Sequence, residues 1–171
     1  MFKFIITLLF FSFFSCKSKN VGSLKEINDS NIKSIFNKKR NLVFIWTTWC
    51  GASKDIIKDT YANIQKDTND YNIILICGNL DEDNIDRIFS KNNINLKKYI
   101  TGNATNYLPI MDRKNIKNFI LENFTNTDSI DFKGNFSIPI TLLVDSNLKI
   151  LNYDMPQDST NIRLFIDSYK N

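Results

Sequence analysis

Apolar and polar positions alternate along this chain with two periods, and the changes from one to the other outline its elements. Leu42 to Trp46 is a continuous apolar run rich in β-branched and aromatic side chains, which predicts a buried strand. Tyr71 to Cys77 (Tyr-Asn-Ile-Ile-Leu-Ile-Cys) predicts a second, buried on both faces for most of its length. Between them Ile56, Ile57, Tyr61 and Ile64 recur at helical spacing, so Ala52 to about Lys66 reads as an amphipathic helix. The same period predicts helices over Leu24 to Asn37, with Asp29-Ser30 as its cap, over Asp83 to Asn92, and over Lys114 to Phe124. Leu96 to Ile100 reads as a short extended segment and Thr101 to Asn106 as a loop. Ile138 to Asp145 is a strand, Ser146-Asn147 a turn and Leu148 to Tyr153 the hairpin partner. A closing helix is expected over Ser159 to Tyr169. Alternating strands and helices imply right-handed crossovers onto a parallel sheet core, and the fold class is α/β.

The N-terminus follows a different pattern. Phe4 to Phe14 is apolar except for Thr7 and Ser12, follows Lys3 and ends in Ser15-Cys16. It is shorter than the roughly 20 residues that span a bilayer and has the form of an export signal. Phe13-Phe14-Ser15-Cys16 resembles the lipobox of bacterial lipoproteins, although leucine usually stands where Phe13 does and a small residue where Phe14 does. The resemblance implies residues 1–15 as signal peptide, Cys16 as the lipidated first residue of the mature chain and 16–23 as a tether. An ordinary signal peptide or an uncleaved short anchor is the alternative. Residues 24–171 then form one domain.

Composition removes several chemistries. The chain has no histidine, so Cys-His pairs, Ser-His-Asp triads and histidine metal ligands are excluded. Its net charge of +4 is spread along the sequence and interrupted by acids such as Asp81-Glu82-Asp83, which gives no reason to expect nucleic acid. Of three cysteines, one belongs to the anchor reading. Cys50 and Cys77 alone make neither a disulfide framework nor a zinc site, and no metal or cofactor is expected.

The chemistry centres on Trp46-Thr47-Thr48-Trp49-Cys50-Gly51-Ala52-Ser53. A cysteine where a strand hands over to a helix meets unpaired backbone N–H groups and the positive end of the helix dipole, which favour thiolate. With serine three residues on, a mixed disulfide at Cys50 has no neighbouring thiolate to resolve it. Cys77 ends the adjacent predicted strand and is the other candidate for a resolving thiol. A bridge needs Cα atoms within about 7 Å, and the other reading is a buried cysteine acting as a small apolar side chain.

These residues carry a resemblance. Ile45-Trp46-Thr47-Thr48-Trp49-Cys50-Gly51 resembles the strand and loop of envelope thioredoxin-like proteins of the TlpA/ResA type, and Ile138-Pro139-Ile140-Thr141-Leu142-Leu143-Val144-Asp145 resembles their second landmark, in the expected order. The resemblance covers roughly Leu24 to the C-terminus. It implies a thioredoxin fold, a mixed central sheet flanked by helices, with a helical insertion before the strand that a cis proline opens. It further implies that Pro139 is cis beside Cys50, that Ile138 offers its backbone to an extended peptide, and that Trp49 and Gly51 contribute to substrate contact. Trp46 reads as core.

Two departures bear on turnover. Ser53 replaces the resolving cysteine, and Phe44 stands where many thioredoxins bury a proton-moving carboxylate. The expected function is therefore an envelope-anchored protein with one active thiol, Cys50, assisted by Ser53, which forms mixed disulfides with protein or small thiols. A redox-inactive binding module on the same fold is the alternative. A peroxidase is a weaker reading, because none of Arg40, Arg87, Arg113 and Arg163 lies near Cys50 in sequence.

Overall fold

In the computed structural model the described residues are 23–58, 71–105, 109–132, 136–156, Leu164, Phe165 and Ser168. The expected lipidation site Cys16, the signal segment and most of the closing helix lie outside them. Ten numbered elements follow in order: β1 (Lys25–Ile27), α1 (Ile32–Ile35), β2 (Asn41–Trp46), α2 (Gly51–Ile56), β3 (Asn72–Asn79), α3 (Glu82–Lys91), β4 (Tyr99–Thr105), α4 (Pro109–Asn123), β5 (Ile140–Val144) and β6 (Ile150–Asp154). They build one six-stranded sheet in the order β1-β4-β3-β2-β5-β6. The first four strands in that order are mutually parallel, and β5 and β6 run antiparallel to their neighbours.

Strand alternation sorts the core into two layers. Val43, Ile45, Ile74, Ile76, Ile140 and Leu142 face Phe36 and the α4 residues Ile116, Phe119 and Ile120. Phe44, Trp46, Leu75 and Leu143 face Ile56 of α2 and Ile85, Ile88 and Phe89 of α3. Trp46 is core, as expected, and stacks on Phe89 with ring centroids 6.4 Å apart.

Two expectations are corrected. The predicted helix over Leu24 to Asn37 is a strand, a turn and one helical turn. Asn28 Oδ1 accepts from the backbone N–H of Ser30 at 3.1 Å, and Asn31 donates through Nδ2 to the Glu26 carbonyl at 2.8 Å. These local side-chain bonds satisfy the backbone without a helix, and Lys25–Ile27 pairs instead with Tyr99–Thr101. The predicted loop from Thr101 is the continuation of β4, whose polar Thr101, Gly102 and Asn103 gave no strand pattern because backbone pairing with β1 and β3 holds it. The insertion between the two landmarks thus contributes a strand as well as helices.

Candidate functional site

Cys50 ends the loop after β2 and caps the N-terminus of α2 with extended backbone (φ −82°, ψ 117°). Its side chain makes no capping bond to the helix. Its thiol lies instead 3.3 Å from the carbonyl oxygen of Ile138. A carbonyl only accepts, so this contact belongs to the protonated S–H. The Ile138–Pro139 bond is cis, and β5, which it precedes, pairs antiparallel with β2 from Ile45↔Ile140 to Asn41↔Val144. That pairing is what brings Ile138 and Pro139 across from Cys50. Ile138 and Pro139 are buried, Trp49 and Cys50 half-buried, and Gly51 is exposed with open space where a Cβ would be.

Ser53 behaves differently from expectation. Its hydroxyl is fully buried and makes no hydrogen bond, so it does not assist Cys50 in this state. Cys77 is buried and free, as Cys50 is free. Desolvation pushes its thiol up to about 12, with smaller upward contributions from the charges of Asp81 and Asp112 and opposing bonds from Asn79 and Thr48. Its register partner in β2 is Trp46, and its sulfur lies 3.4 Å from Asn79 Oδ1. The structure therefore gives it the surroundings of an inert core thiol, not of a resolving one.

Sequence reasoning missed the polar frame that holds the loop. The Thr48 backbone N–H donates to Asn79 Oδ1 at 2.8 Å, and Asn79 Nδ2 donates to Thr48 Oγ1 at 2.8 Å. Thr48 Oγ1 then donates to Asp81 Oδ2 at 2.7 Å, and Asp81 also caps α3 by accepting from the Asn84 N–H at 3.4 Å. Next to it, Trp49 Nε1 donates to Asp112 Oδ2 at 2.9 Å, with Asp112 fully buried. The guanidinium of Arg113 lies 5.9 Å from the centre of the Trp49 ring. So an arginine distant in sequence does stand beside the loop, over the indole of Trp49. Each of the two residues before Cys50 is fixed by a carboxylate, Thr48 by Asp81 at the N-cap of α3 and Trp49 by Asp112 of α4. Among the described residues no group of histidine, cysteine or acidic side chains could hold a metal ion.

A mixed six-stranded sheet with helices on both faces, a cysteine after its central strand and a cis proline opposite defines a thioredoxin fold. Solved structures with the same fold include the thioredoxin domain of a thiol-disulfide oxidoreductase from Bacteroides vulgatus, at 12% identity, TM-score 0.51, with 79% of this chain and 84% of that chain covered. A thiol:disulfide interchange protein of the thioredoxin family from Chlorobium tepidum matches at 15% identity and TM-score 0.51, over 79% of this chain and 81% of that one. No family model matches the sequence, and no curated protein does.

Proposed function

We propose that this protein captures partners through a single thiol: Cys50 attacks a disulfide of a protein or small molecule and holds one half as a mixed disulfide. In that step the Cys50 thiolate bonds to one partner sulfur while the other leaves as thiolate, and a second thiol from outside the chain later releases the adduct. The observation that supports this most directly is the contact between Cys50 and the carbonyl of Ile138 at 3.3 Å. Once the thiol loses its proton it can no longer donate, and that carbonyl is left for the backbone N–H of an extended peptide. Deprotonation and peptide docking are thereby linked at one oxygen atom.

The buried Cys77 and the serine at position 53 both support capture without internal release. They equally favour the second reading, a redox-inactive module that binds peptides in the same groove. Both readings carry the proposal that Cys16 is lipidated and holds the domain at the cell envelope, where radiolabelled fatty acid would be incorporated by wild type and not by Cys16→Ala.

Trapping in cells separates the readings. Wild type is expected to accumulate adducts that reductant dissolves, Cys50→Ser none, and Ser53→Cys fewer because it restores an internal resolving thiol. Equal adduct levels in wild type and Cys50→Ser would leave only the binding module.

A further inference from the structure

We infer that the partner segment delivered to Cys50 is acidic and apolar, and that it docks along the outer flank of α4; this deepens the capture reading and rests on it. Helix α4 is apolar on more than its core side. Asp112, Ile116, Phe119 and Ile120 face inward, yet Ile110 is 84% and Leu121 45% exposed. At helical spacing Ile110, Arg113, Lys114, Lys117 and Leu121 fall within one flank about 100° wide. Three cations and two large apolar side chains share it, and no carboxylate does.

The helix's other acids lie elsewhere. Glu122 is on the opposite flank, lining with Asn115 and Asn118 a cavity against Glu26 to Ser30. Asp112 is buried beneath and receives the indole of Trp49. Asp131, next to Phe132, is exposed and already engaged. Among the described residues the one ion pair is Lys98 with Asp86, so none of the three flank cations is paired there.

One contact ties this flank to the thiol: Arg113 lies over the ring of Trp49, the residue before Cys50. Further along the same flank, Lys117 Nζ stands 5.5 Å from the centre of the Phe132 ring. Ring contact holds both cations near the flank, and a guanidinium that lies over a ring keeps its in-plane N–H groups to take a carboxylate in bidentate fashion. A segment bearing aspartate or glutamate beside apolar residues satisfies both features. A lysine-rich segment meets repulsion over the same path.

The test uses the full-length chain in neutral detergent with two peptides of equal length and apolar content, one carrying acidic and one carrying lysine residues around a single cysteine. Each cysteine is supplied as its mixed disulfide with thionitrobenzoate. Cys50 thiolate bonds to the peptide sulfur and coloured thionitrobenzoate leaves with the electron pair of the broken bond. The acidic peptide is expected to react about tenfold faster at low salt, the scale of electrostatic steering. Near 1 M salt, where screening shortens to about 3 Å, the ratio should approach one. The double variant Arg113→Glu/Lys117→Glu should invert it.

Dithiodipyridine, a small neutral disulfide, reports the thiol independently. If Cys50 reacts with it and both peptides react alike, the docking inference is wrong and capture stands. If Cys50 does not react with it, capture fails and the docking inference with it. Equal peptide rates together with binding to phosphatidylglycerol vesicles that the double variant loses would assign the flank to a membrane instead, and overturn the inference.

Discussion

Asp112 accepts the indole N–H of Trp49 from a fully buried position, where water cannot replace it. Asp112→Ala leaves that donor unpaired and should cost about 1–3 kcal/mol in denaturant unfolding, whereas Asp112→Asn keeps an acceptor and should cost less. A shift of tryptophan emission in the alanine variant alone would report the same loss. Cys77 gives a second residue-scale test, with a sign fixed by its environment. Unfolded, its thiol ionises near 9.0; folded, near 12. Between those values the unfolded chain binds fewer protons, so stability should fall as pH rises, by up to about 1.4 kcal/mol per unit, and be unaffected by this group at lower pH. Subtracting the pH profile of Cys77→Ala from that of wild type isolates the effect, and a flat difference above pH 9 would contradict it. Cys50, Trp49, Ile138 and Pro139 were legible because each belongs to a contiguous motif. Asp112 and Arg113 were not, since only folding brings them to the loop. One signal was present: Asp112 occupies the phase of Ile116, Phe119 and Ile120, and a polar group on a buried face needs a partner.

At the scale of elements, the seat of α4 on the sheet depends on an absent side chain. A Cβ on Gly78 of β3 would lie 2.2 Å from Cδ1 and 2.5 Å from Cγ1 of Ile116, so the helix sits where only glycine admits it. Gly78→Ala should destabilise the fold by about 1–3 kcal/mol through overpacking. In an Ile116→Ala background the two clashing atoms are gone, and the same change should cost markedly less; additive losses in this double-mutant cycle would refute the contact. The elements best read from sequence are those whose own pattern decides them: β2, β3, β5 and α3 lie within one or two residues of expectation. β1 was missed, and of β4 only Tyr99 and Ile100 fell in the predicted extended segment, because the order of these strands comes from pairing with other strands. Their polar residues and the Asn-Asp-Ser-Asn turn carry no period that announces it. Pro109 opens α4 five residues before the predicted start, at a first-turn position where its missing N–H costs nothing.

Across the whole molecule, the sheet order sets a gradient of stability that reaches the site. β2, β3 and β5 occupy its middle and are buried almost throughout, whereas β1 has three residues, of which Lys25 and Glu26 are exposed. Amides of Val43, Phe44, Ile76 and Leu142 should exchange with solvent only through global unfolding, and those of β1 through local opening at lower free energy. The decisive amide is that of Thr48. It sits in a loop, where fast exchange is the ordinary expectation, but it donates to buried Asn79 Oδ1 at the end of β3. If the Thr48-Asn79-Asp81 frame makes the Cys50 loop part of the sheet, this amide exchanges with the central strands and shows their dependence on denaturant. Fast exchange at Thr48, with the strands still protected, would mean that the loop opens on its own. Cys50 would then be presented by a mobile segment instead of a fixed one, and the alignment of its thiol with Ile138 would have to form anew at each encounter.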